Sequence, residues 1–425
     1  MNSSVEKNEM MSYQVAIVGA GSAGIAVAAS LLARSPYLNL VLIDPATTHY
    51  YQPGWTMVGG GIFDAASTAR PMQELIPVGA KWIQQAVRHI HPEQQHLVLQ
   101  DGTMVAYQVL IVCSGLTLDW DAIEGLPETL GKHGVTSNYR YDLAPYTWQL
   151  LQNLKHGKAI FTQPPMPIKC AGAPQKALYL AADYWLKAGV LTNISLAFHN
   201  AGAVLFGVKD YVPELMCYMQ KYQVQLSFES QLIRVDGATK RAWFRCQNGN
   251  QSIEIETHFD LLHVVPPQHA PNFIRDSPLA DENGWLDVEP TTLQHRRYAN
   301  IFGVGDVLNT TNAKTMAAAR KQAPIVAMNV LLFLHGRQDF YQYDGYGSCP
   351  LTVERGKVVL AEFGYGGKLL PTFPAWMLDG RKASGLAWML KAQCLPAIYW
   401  QGMLKGREWL VKPKQKVVMA TKTAC

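Results

Sequence analysis

Two of the seven cysteines in this chain have neighbours that suit redox chemistry. Cys170 lies in QPPMPIKCAGAPQKA (163–177), between Lys169 and a predicted helix, and both a cation and a helix N-terminus favour the thiolate form of a cysteine. Cys349 lies in YDGYGSCPLTVERGKVVLAEF (343–363), on a predicted turn before Pro350. Taken singly, each would more often be a small buried hydrophobic residue than a redox group. The cysteines form no CxxC pair and no zinc-ribbon spacing, so no metal is expected.

An element that could serve such chemistry is the strand, turn and helix YQVAIVGAGSAGIAVAASLLARSPYLNLVLIDP (13–45). In a GxGxxG turn, Gly19 permits the tight bend, Gly21 the approach of a pyrophosphate, and Gly24 the packing of helix on strand. The helix N-terminus offers free N–H groups and a positive dipole end. Asp44 follows on the second strand, where it could accept hydrogen bonds from a ribose. These residues predict a dinucleotide site.

A second β-α-β unit is predicted from HGKAIFTQPP, the helix-like KALYLAADYWLKAG and the strand NISLAFHN. Its turn carries Pro164, Pro165, Pro167 and Cys170 instead of glycines. Proline removes a backbone donor and fixes φ, so this turn does not predict a pyrophosphate cradle. We therefore expect a Rossmann-like unit that has kept its fold and lost its nicotinamide.

Two further segments favour FAD as the first dinucleotide. YQVLIVCSGLTLDW (107–120), with Ser114 and Gly115, and YANIFGVGDVLNT (298–310), with Gly305 and Asp306, resemble the FAD-contacting strands of the reductases that have two dinucleotide-binding domains. The alternative for Asp306 is a purely structural role as a helix N-cap.

Four motifs resemble the sulfide:quinone oxidoreductases, in the branch that includes the mitochondrial enzyme. They are HYYQPGWTMVGGG (49–61), KCAGAPQK, TLQHRRYANIFGVGD and YDGYGSCPL, and the resemblance runs from about residue 13 to about 410. It implies that Cys170 and Cys349 form a disulfide, or a sulfur-bridged version of it, over one flavin face. Sulfide would attack at Cys349 and leave a persulfide there. Cys170 would be released as a thiolate against the flavin C4a carbon and pass two electrons to FAD, after which the sulfur would move to a small thiol, sulfite or sulfide.

The resemblance also implies roles for other residues. Gln52 and Trp55 would lie along the FAD, and Lys314 would lie near the flavin pyrimidine ring, where a cation stabilises the reduced anion. Phe363 and Tyr365 would line a quinone site. Cys113 is the only candidate for the third cysteine of the bacterial branch that makes polysulfide. We interpret it as a core residue of an apolar strand, which favours transfer of sulfur to an acceptor.

The fold class expected is α/β, with two Rossmann-like domains arranged as in glutathione reductase and a C-terminal amphipathic helical region for membrane attachment. We expect an FAD domain at 12–125 and 285–345, a second domain at 150–275 and a C-terminal region at 346–425. Residues 366–425 carry ten Lys or Arg against two Asp or Glu, and four of the 11 tryptophans. Tryptophan interleaved with basic residues suits helices lying in a membrane interface, with Pro396 dividing two helical stretches. The alternatives for this tail are packing on the body of the protein or a homodimer contact.

Hydrogen sulfide, quinone and a membrane surface are thus the expected partners, and no nucleic-acid motif is present. The first residues contain no apolar signal segment, which favours peripheral attachment to the cytoplasmic face of the inner or cytoplasmic membrane. Two other functions stay open: a type II NADH:quinone dehydrogenase, which the proline-rich turn disfavours, and a flavin redox sensor without catalytic activity.

Overall fold

The structure is a computed structural model that describes residues 10–249 and 251–413; the rest of the predicted C-terminal region, including Cys425, lies outside these ranges. The strands are β1 Met11–Val18, β2 Leu40–Ile43, β3 Thr48–Tyr50, β4 Ala69–Pro71, β5 Ala80–Ile83, β6 Val87–His91, β7 His96–Leu99, β8 Met104–Val112, β9 Thr117–Leu118, β10 Val135–Thr136, β11 Gly157–Gln163, β12 Ile194–Asn200, β13 Gln225–Ser227, β14 Ser230–Asp236, β15 Arg241–Asn248, β16 Gln251–His258, β17 Leu261–His263, β18 Gln268–His269, β19 Ile301–Gly303, β20 Gly347–Glu354 and β21 Lys357–Phe363. The helices are α1 Ser22–Arg34, α2 Trp55–Gly59, α3 Leu126–Thr129, α4 Leu143–Asn153, α5 Ala173–Lys187, α6 Val212–Lys221, α7 Asn272–Arg275, α8 Met316–Leu334, α9 Gly385–Met389 and α10 Leu395–Ala397. The predicted α/β class is confirmed.

The first sheet has the order β5-β2-β1-β8-β7-β6, and β19 also pairs with β8. Strands β5, β2, β1, β8 and β19 run parallel, while β7 and β6 close one edge as antiparallel strands. The interior strands are continuous apolar runs because helices cover both faces of such a sheet. Helices α1 and α8 pack against this core. The carboxyl ends of β1, β2, β8 and β19 therefore open at one edge, where ligands of such sheets bind.

The second sheet is parallel, with the order β10-β17-β11-β12-β13. Helix α5 follows β11 and is buried along most of its length, with Trp185 and Tyr179 fully enclosed. An antiparallel sheet, β14-β15-β16, lies beside it. The strand β19 and helix α8, which follow this unit in sequence, return to the first sheet.

The antiparallel hairpin β20–β21 joins the core of the second unit through one of its faces. Its residues Cys349, Leu351, Val353, Val359 and Ala361 pack there. The opposite face carries Val358 and Leu360, which pack under Leu378 and Ala387 of the C-terminal segment.

The C-terminal segment is helical from Gly385 to Lys405, with π-helical turns on both sides of α10. Pro396 was expected to divide two helices, but the chain stays helical through it. A proline inside a helix removes one hydrogen bond and crowds the preceding turn, and the wider π-helical turns Leu390–Cys394 and Ile398–Gly402 lie on both sides of this irregularity. Within residues 10–249 and 251–413, no helix combines the length and hydropathy that crossing a membrane requires.

Candidate active site

The turn between β1 and α1 is built by three glycines with different tasks. Gly19 has a φ of +98° and lies so close to the next strand that a Cβ there would be 2.5 Å from the Cys113 carbonyl oxygen. A Cβ on Gly24 would lie 1.8 Å from the Gly19 carbonyl oxygen, so this glycine sets the distance between helix and turn. A Cβ on Gly21 would meet nothing within 4 Å. Gly21 thus faces open space at the N-terminus of α1, where an anion is favoured.

A cavity of about 360 Å³ begins at this turn and extends to the second unit. Asp44 lies on its wall, where the carboxylate accepts hydrogen bonds from the backbone N–H of Ala20 (2.7 Å) and of Ala46 (2.8 Å). The other predicted site residues on this wall are Gly19, Gly21, Gln52, Trp55, Ser114, Gly115, Cys170, Gly305, Asp306 and Lys314. Residues predicted separately along the chain therefore surround one space.

Several buried polar atoms on the cavity wall have no hydrogen-bond partner in the described part of the chain. They are the Tyr51 hydroxyl, the Trp55 indole N–H, the Thr56 and Ser114 hydroxyls and the Asn138 amide. Buried polar groups are rarely left unpaired in folded proteins. A ligand with many polar groups, such as a dinucleotide, fits this lining.

Lys314 is buried on the cavity wall and uses its ammonium group to hold a loop. Its Nζ donates to the carbonyl oxygens of Asp306 (2.8 Å) and Leu308 (2.6 Å), and it lies 4.0 Å from the centre of the Trp285 ring. Burial lowers the pKa of Lys314 to about 8, against the opposing effect of Asp306. Burial also raises the pKa of Asp306.

The loop after β11 is fixed to the rim of the first unit. The backbone N–H of Cys170 donates to the Lys314 carbonyl oxygen (2.7 Å), and that of Lys169 to Gln268 Oε1 (2.7 Å). The Tyr139 hydroxyl donates to the Lys169 carbonyl oxygen (2.9 Å). Cys170 itself has a φ of +49°, a left-handed conformation that side chains seldom adopt. These contacts hold its thiol at the cavity, one turn before α5.

The structure brings Cys170 and Cys349 together, with 3.4 Å between their Sγ atoms. Cys349 is 2% exposed and faces α5 from β20. Gly172 makes this approach possible, since a Cβ there would lie 2.6 Å from the Cys349 Sγ and 2.7 Å from Leu351. Gly172 is a site residue that sequence reasoning missed, because its φ of −86° is ordinary and only the tertiary contact demands a glycine.

Lys176, in the first turn of α5, is a second residue that sequence reasoning missed. Its Nζ lies 3.0 Å from the Cys170 Sγ, and the residue is 3% exposed. The thiol of Cys349 and then the charge of Lys176 hold the pKa of Cys170 well below its usual range, although burial opposes them. The hydrogen bond between the two thiols in turn raises the pKa of Cys349. Lys169, expected to supply this charge, instead donates to Gln52 Oε1 (2.7 Å).

A fourth lysine reaches the cavity from the C-terminal segment, after Lys169, Lys176 and Lys314. Lys391 is 3% exposed and its Nζ donates to the Pro53 carbonyl oxygen (3.1 Å). Burial, and then repulsion by Lys176, lower the pKa of Lys391 to about 7. No local pattern in the sequence marks it, because its neighbours on the cavity wall come from distant parts of the chain.

Three predicted residues lie away from the sulfur atoms. Phe363 packs edge-on against Phe206, and the Tyr365 hydroxyl donates to the Pro290 carbonyl oxygen (2.7 Å); neither belongs to the cavity wall as described. Side chains of a strand alternate between faces, and Phe363 falls on the same face of the hairpin as Cys349. Cys113 is 5% exposed within the first core, and burial raises the pKa of its thiol.

Comparison with known proteins gives a consistent result. The chain is 40% identical over 418 residues to the mitochondrial sulfide:quinone oxidoreductase of Dictyostelium discoideum, a match that covers 97% of this chain and 90% of that protein. It is 36% identical to the mitochondrial sulfide:quinone oxidoreductase of Mus musculus, over 93% of this chain and 87% of that one. The fold is similar to the crystal structure of the sulfide:quinone oxidoreductase from Aquifex aeolicus, with a TM-score of 0.78 and 18% identity over 94% of this chain and 92% of that chain. No family model matches the chain.

Proposed function

The chain belongs to the sulfide:quinone oxidoreductase family, and on this premise we propose that it oxidises sulfide through Cys170 and Cys349 and passes two electrons through FAD to a membrane quinone. One observation carries the proposal. The Cys170 sulfur lies beside the Lys176 ammonium on the wall of a cavity that begins at a dinucleotide-binding turn, and the Cys349 sulfur lies 3.4 Å behind it.

The cavity lining fits FAD. Gly19, Gly21 and the N-terminus of α1 would hold the pyrophosphate, and Asp44 the adenosine ribose. The unpartnered hydroxyls of Ser114, Tyr51 and Thr56 would then find acceptors or donors on the ligand. When bound, FAD supplies the two-electron chemistry that joins a thiolate on one side to a quinone on the other. Lys314, close to Asp306, is the cation we assign to the pyrimidine end.

The cysteine pair supports a division of labour in the sulfur chemistry. Hydrosulfide attacks the Cys349 sulfur of a Cys170–Cys349 disulfide, the bond between the two cysteines breaks, and the persulfide stays on Cys349. Cys170 departs as a thiolate, and exchange is faster when the leaving thiol has a low pKa. The Lys176 ammonium, 3.0 Å from the Cys170 sulfur, would stabilise the departing thiolate, which supports Cys170 as the leaving group. A resting pair bridged by one further sulfur would follow the same division.

The persulfide sulfur then passes to an acceptor, for which a small thiol, sulfite or a second sulfide are the candidates. Cys113 packs in the first core beside Gly19 and also lines the cavity. Burial raises the pKa of its thiol, and a thiol is a poorer nucleophile than a thiolate, which favours such an acceptor over growth of a long polysulfide.

The face of the hairpin opposite Cys349 supports a different quinone wall from the one expected at Phe363 and Tyr365. Leu360 and Glu362 of β21 line the cavity on that face. Apolar side chains from the C-terminal part of the chain complete the same wall, namely Phe373, Leu390, Leu395 and Ile398. We assign the quinone to this side, on the face of the hairpin opposite Cys349.

The C-terminal segment supports peripheral attachment to a membrane. Large apolar side chains that would pack in a core elsewhere are exposed here: Trp376 (87%), Met377, Leu386, Met389, Trp409 and Leu410. Exposed apolar groups in a basic segment suit an interface between lipid and water. The cytoplasmic face stays our expectation for orientation, and a homodimer contact is the alternative use of this surface. Vesicle flotation tests the choice: Trp376→Ala with Trp409→Ala should lower binding to anionic vesicles without changing the molar mass in detergent-free solution.

Anaerobic titration of the purified flavoprotein with sulfide tests the proposed function. We expect bleaching of the flavin and a long-wavelength band from a thiolate in contact with it. NADH should produce neither change, which separates this function from an NADH:quinone dehydrogenase. A flavin that responds to neither reductant would leave the redox sensor as the better function.

A further inference from the structure

A buried carboxylate lies on the cavity wall that faces away from the cysteine pair. Glu362 is 5% exposed, and it pairs across the hairpin with Ser348, whereas Cys349 pairs with Ala361. Because successive side chains alternate between the faces of a strand, Glu362 and Cys349 lie on opposite faces. Glu362 therefore belongs to the side of the cavity assigned above to the quinone.

Neutral donors hold this carboxylate. The Tyr346 hydroxyl donates to Oε1 (2.6 Å), the Thr372 backbone N–H donates to Oε2 (3.0 Å), and the Thr372 hydroxyl also donates to Oε1. No ion pair to Glu362 occurs within residues 10–249 and 251–413. Buried carboxylates usually pair with a cation, so the neutral surroundings of Glu362 are unusual for a group that has only a structural role.

A polar path leads from Glu362 to solvent. Tyr346 is half-buried, and its ring lies 4.6 Å from the Lys321 ammonium, which pairs with the exposed Asp344 (3.0 Å). Arg320 is the other charged group that acts on Tyr346. On the far side, the Tyr211 hydroxyl contacts only the backbone N–H and carbonyl of Glu362. The Tyr346 hydroxyl also lies 3.3 Å from the hydroxyl of the exposed Thr372, so these two hydroxyl groups link the carboxylate to the protein surface.

The chemistry of the opposite wall calls for such a group. A quinone that takes two electrons must also take two protons, and the side chains around Glu362 in the cavity are largely apolar: Leu360, Phe373, Leu390, Leu395 and Ile398. We propose that Glu362 is the proton donor to the quinone, supplied from solvent through the Tyr346 hydroxyl; this rests on the proposed function. Each proton given to a quinone oxygen is replaced from solvent. Two protons and the two electrons from sulfide oxidation account for the quinol.

Stopped-flow measurements on the Glu362→Gln variant test the inference, because they follow flavin reduction by sulfide and flavin reoxidation by quinone separately. Reduction of the flavin by sulfide should stay within about twofold of the parent, since it occurs on the other face of the hairpin. Reoxidation by decylubiquinone should slow by roughly 10²-fold at saturating quinone, the usual effect of losing a proton donor. Reoxidation by ferricyanide, which accepts electrons without protons, should be unchanged. Glu354→Gln, at the distal end of the same hairpin, is the matched control and should behave as the parent.

Four results would overturn the inference. Equal loss with ferricyanide and decylubiquinone would indicate a structural role for Glu362. Loss of flavin reduction by sulfide in Glu362→Gln but not in Glu354→Gln would indicate the same. A rise only in the quinone concentration for half-saturation would indicate binding without proton transfer. An unchanged decylubiquinone rate would remove any role. Failure of the proposed function itself is distinguishable, because the parent protein would then not be reduced by sulfide.

Discussion

The turn after β1 and the loop after β11 occupy the same position in two strand–helix units, yet they present different chemistry. The first turn passes from Val18 into α1 within three residues, and its glycines bare the backbone N–H groups. The second takes the nine residues 164–172 to reach α5 and is tied by hydrogen bonds to Lys314 of the first unit and to Gln268 of β18. A longer loop with side-chain anchors can place a thiol where a glycine turn would place a phosphate. On the proposed function, the same topology would bind a cofactor in one unit and deliver a reductant in the other.

Removing either thiol of the second unit should have the largest effect on the reaction with sulfide. We expect Cys170→Ser and Cys349→Ser each to slow sulfide-dependent flavin reduction by about 10³-fold or more, because residues that act as one unit lose most of the rate together. Anaerobic stopped-flow absorbance measures this. Cys217→Ser is the control, since Cys217 is an exposed residue of α6. A double variant no slower than either single one is expected, and additive losses would mean that the thiols act independently.

Replacing one glycine in each turn by alanine should have a different effect in each unit. Gly172→Ala places a Cβ within 2.6 Å of the Cys349 Sγ, and a displaced reacting group costs on the order of 10²-fold in rate. We therefore expect slow reduction by sulfide with a full complement of flavin. Gly24→Ala, with a Cβ 1.8 Å from the Gly19 carbonyl oxygen, should instead lose flavin. The ratio of flavin to protein absorbance distinguishes the two, and equal flavin loss in both variants would contradict a separate task for Gly172.

Replacing Lys176 tests which group stabilises the Cys170 thiolate. After the hydrogen bond from Cys349, the Lys176 charge is the next effect that lowers the pKa of Cys170. Lys176→Gln should raise this pKa, so the midpoint of the thiolate–flavin band should move up by about 1 to 3 pH units. Lys187→Gln on the same helix, where Lys187 pairs with Asp183 (2.8 Å), is the control. A midpoint that stays in place would assign the low pKa to Cys349 alone.

The local parts of this site could be predicted from the sequence, and the long-range parts could not. Gly19, Gly21 and Gly24 follow a spacing set by one turn, and Cys170 stands where that turn should recur, so both were visible in the chain. Lys391 and Gly172 depend on contacts between distant segments, for which the sequence has no local signal. The prediction of Phe363 and Tyr365 for the quinone wall had no information on which face of β21 lies towards the cavity. The pairing of Cys349 with Ala361 places Phe363 on the same face of the hairpin as Cys349, and Glu362 on the opposite face.

Lys391 gives the smallest effect and concerns what the C-terminal segment adds beside the second turn. Its pKa of about 7 in the folded protein lies below the value of about 10.4 for an unfolded chain. Between these values the unfolded state binds more protons, so the free energy of unfolding should rise with pH. Lys391→Met should lack this rise, which amounts to about 1 to 2 kcal/mol between pH 7 and 8.5. Thermal unfolding of the flavoprotein at both pH values measures it, with Lys405→Met, an exposed lysine of the same segment, as the control. A parent and a Lys391→Met variant with parallel pH profiles would mean that the ammonium is solvated, and the charge beside Cys170 would then come from Lys176 alone.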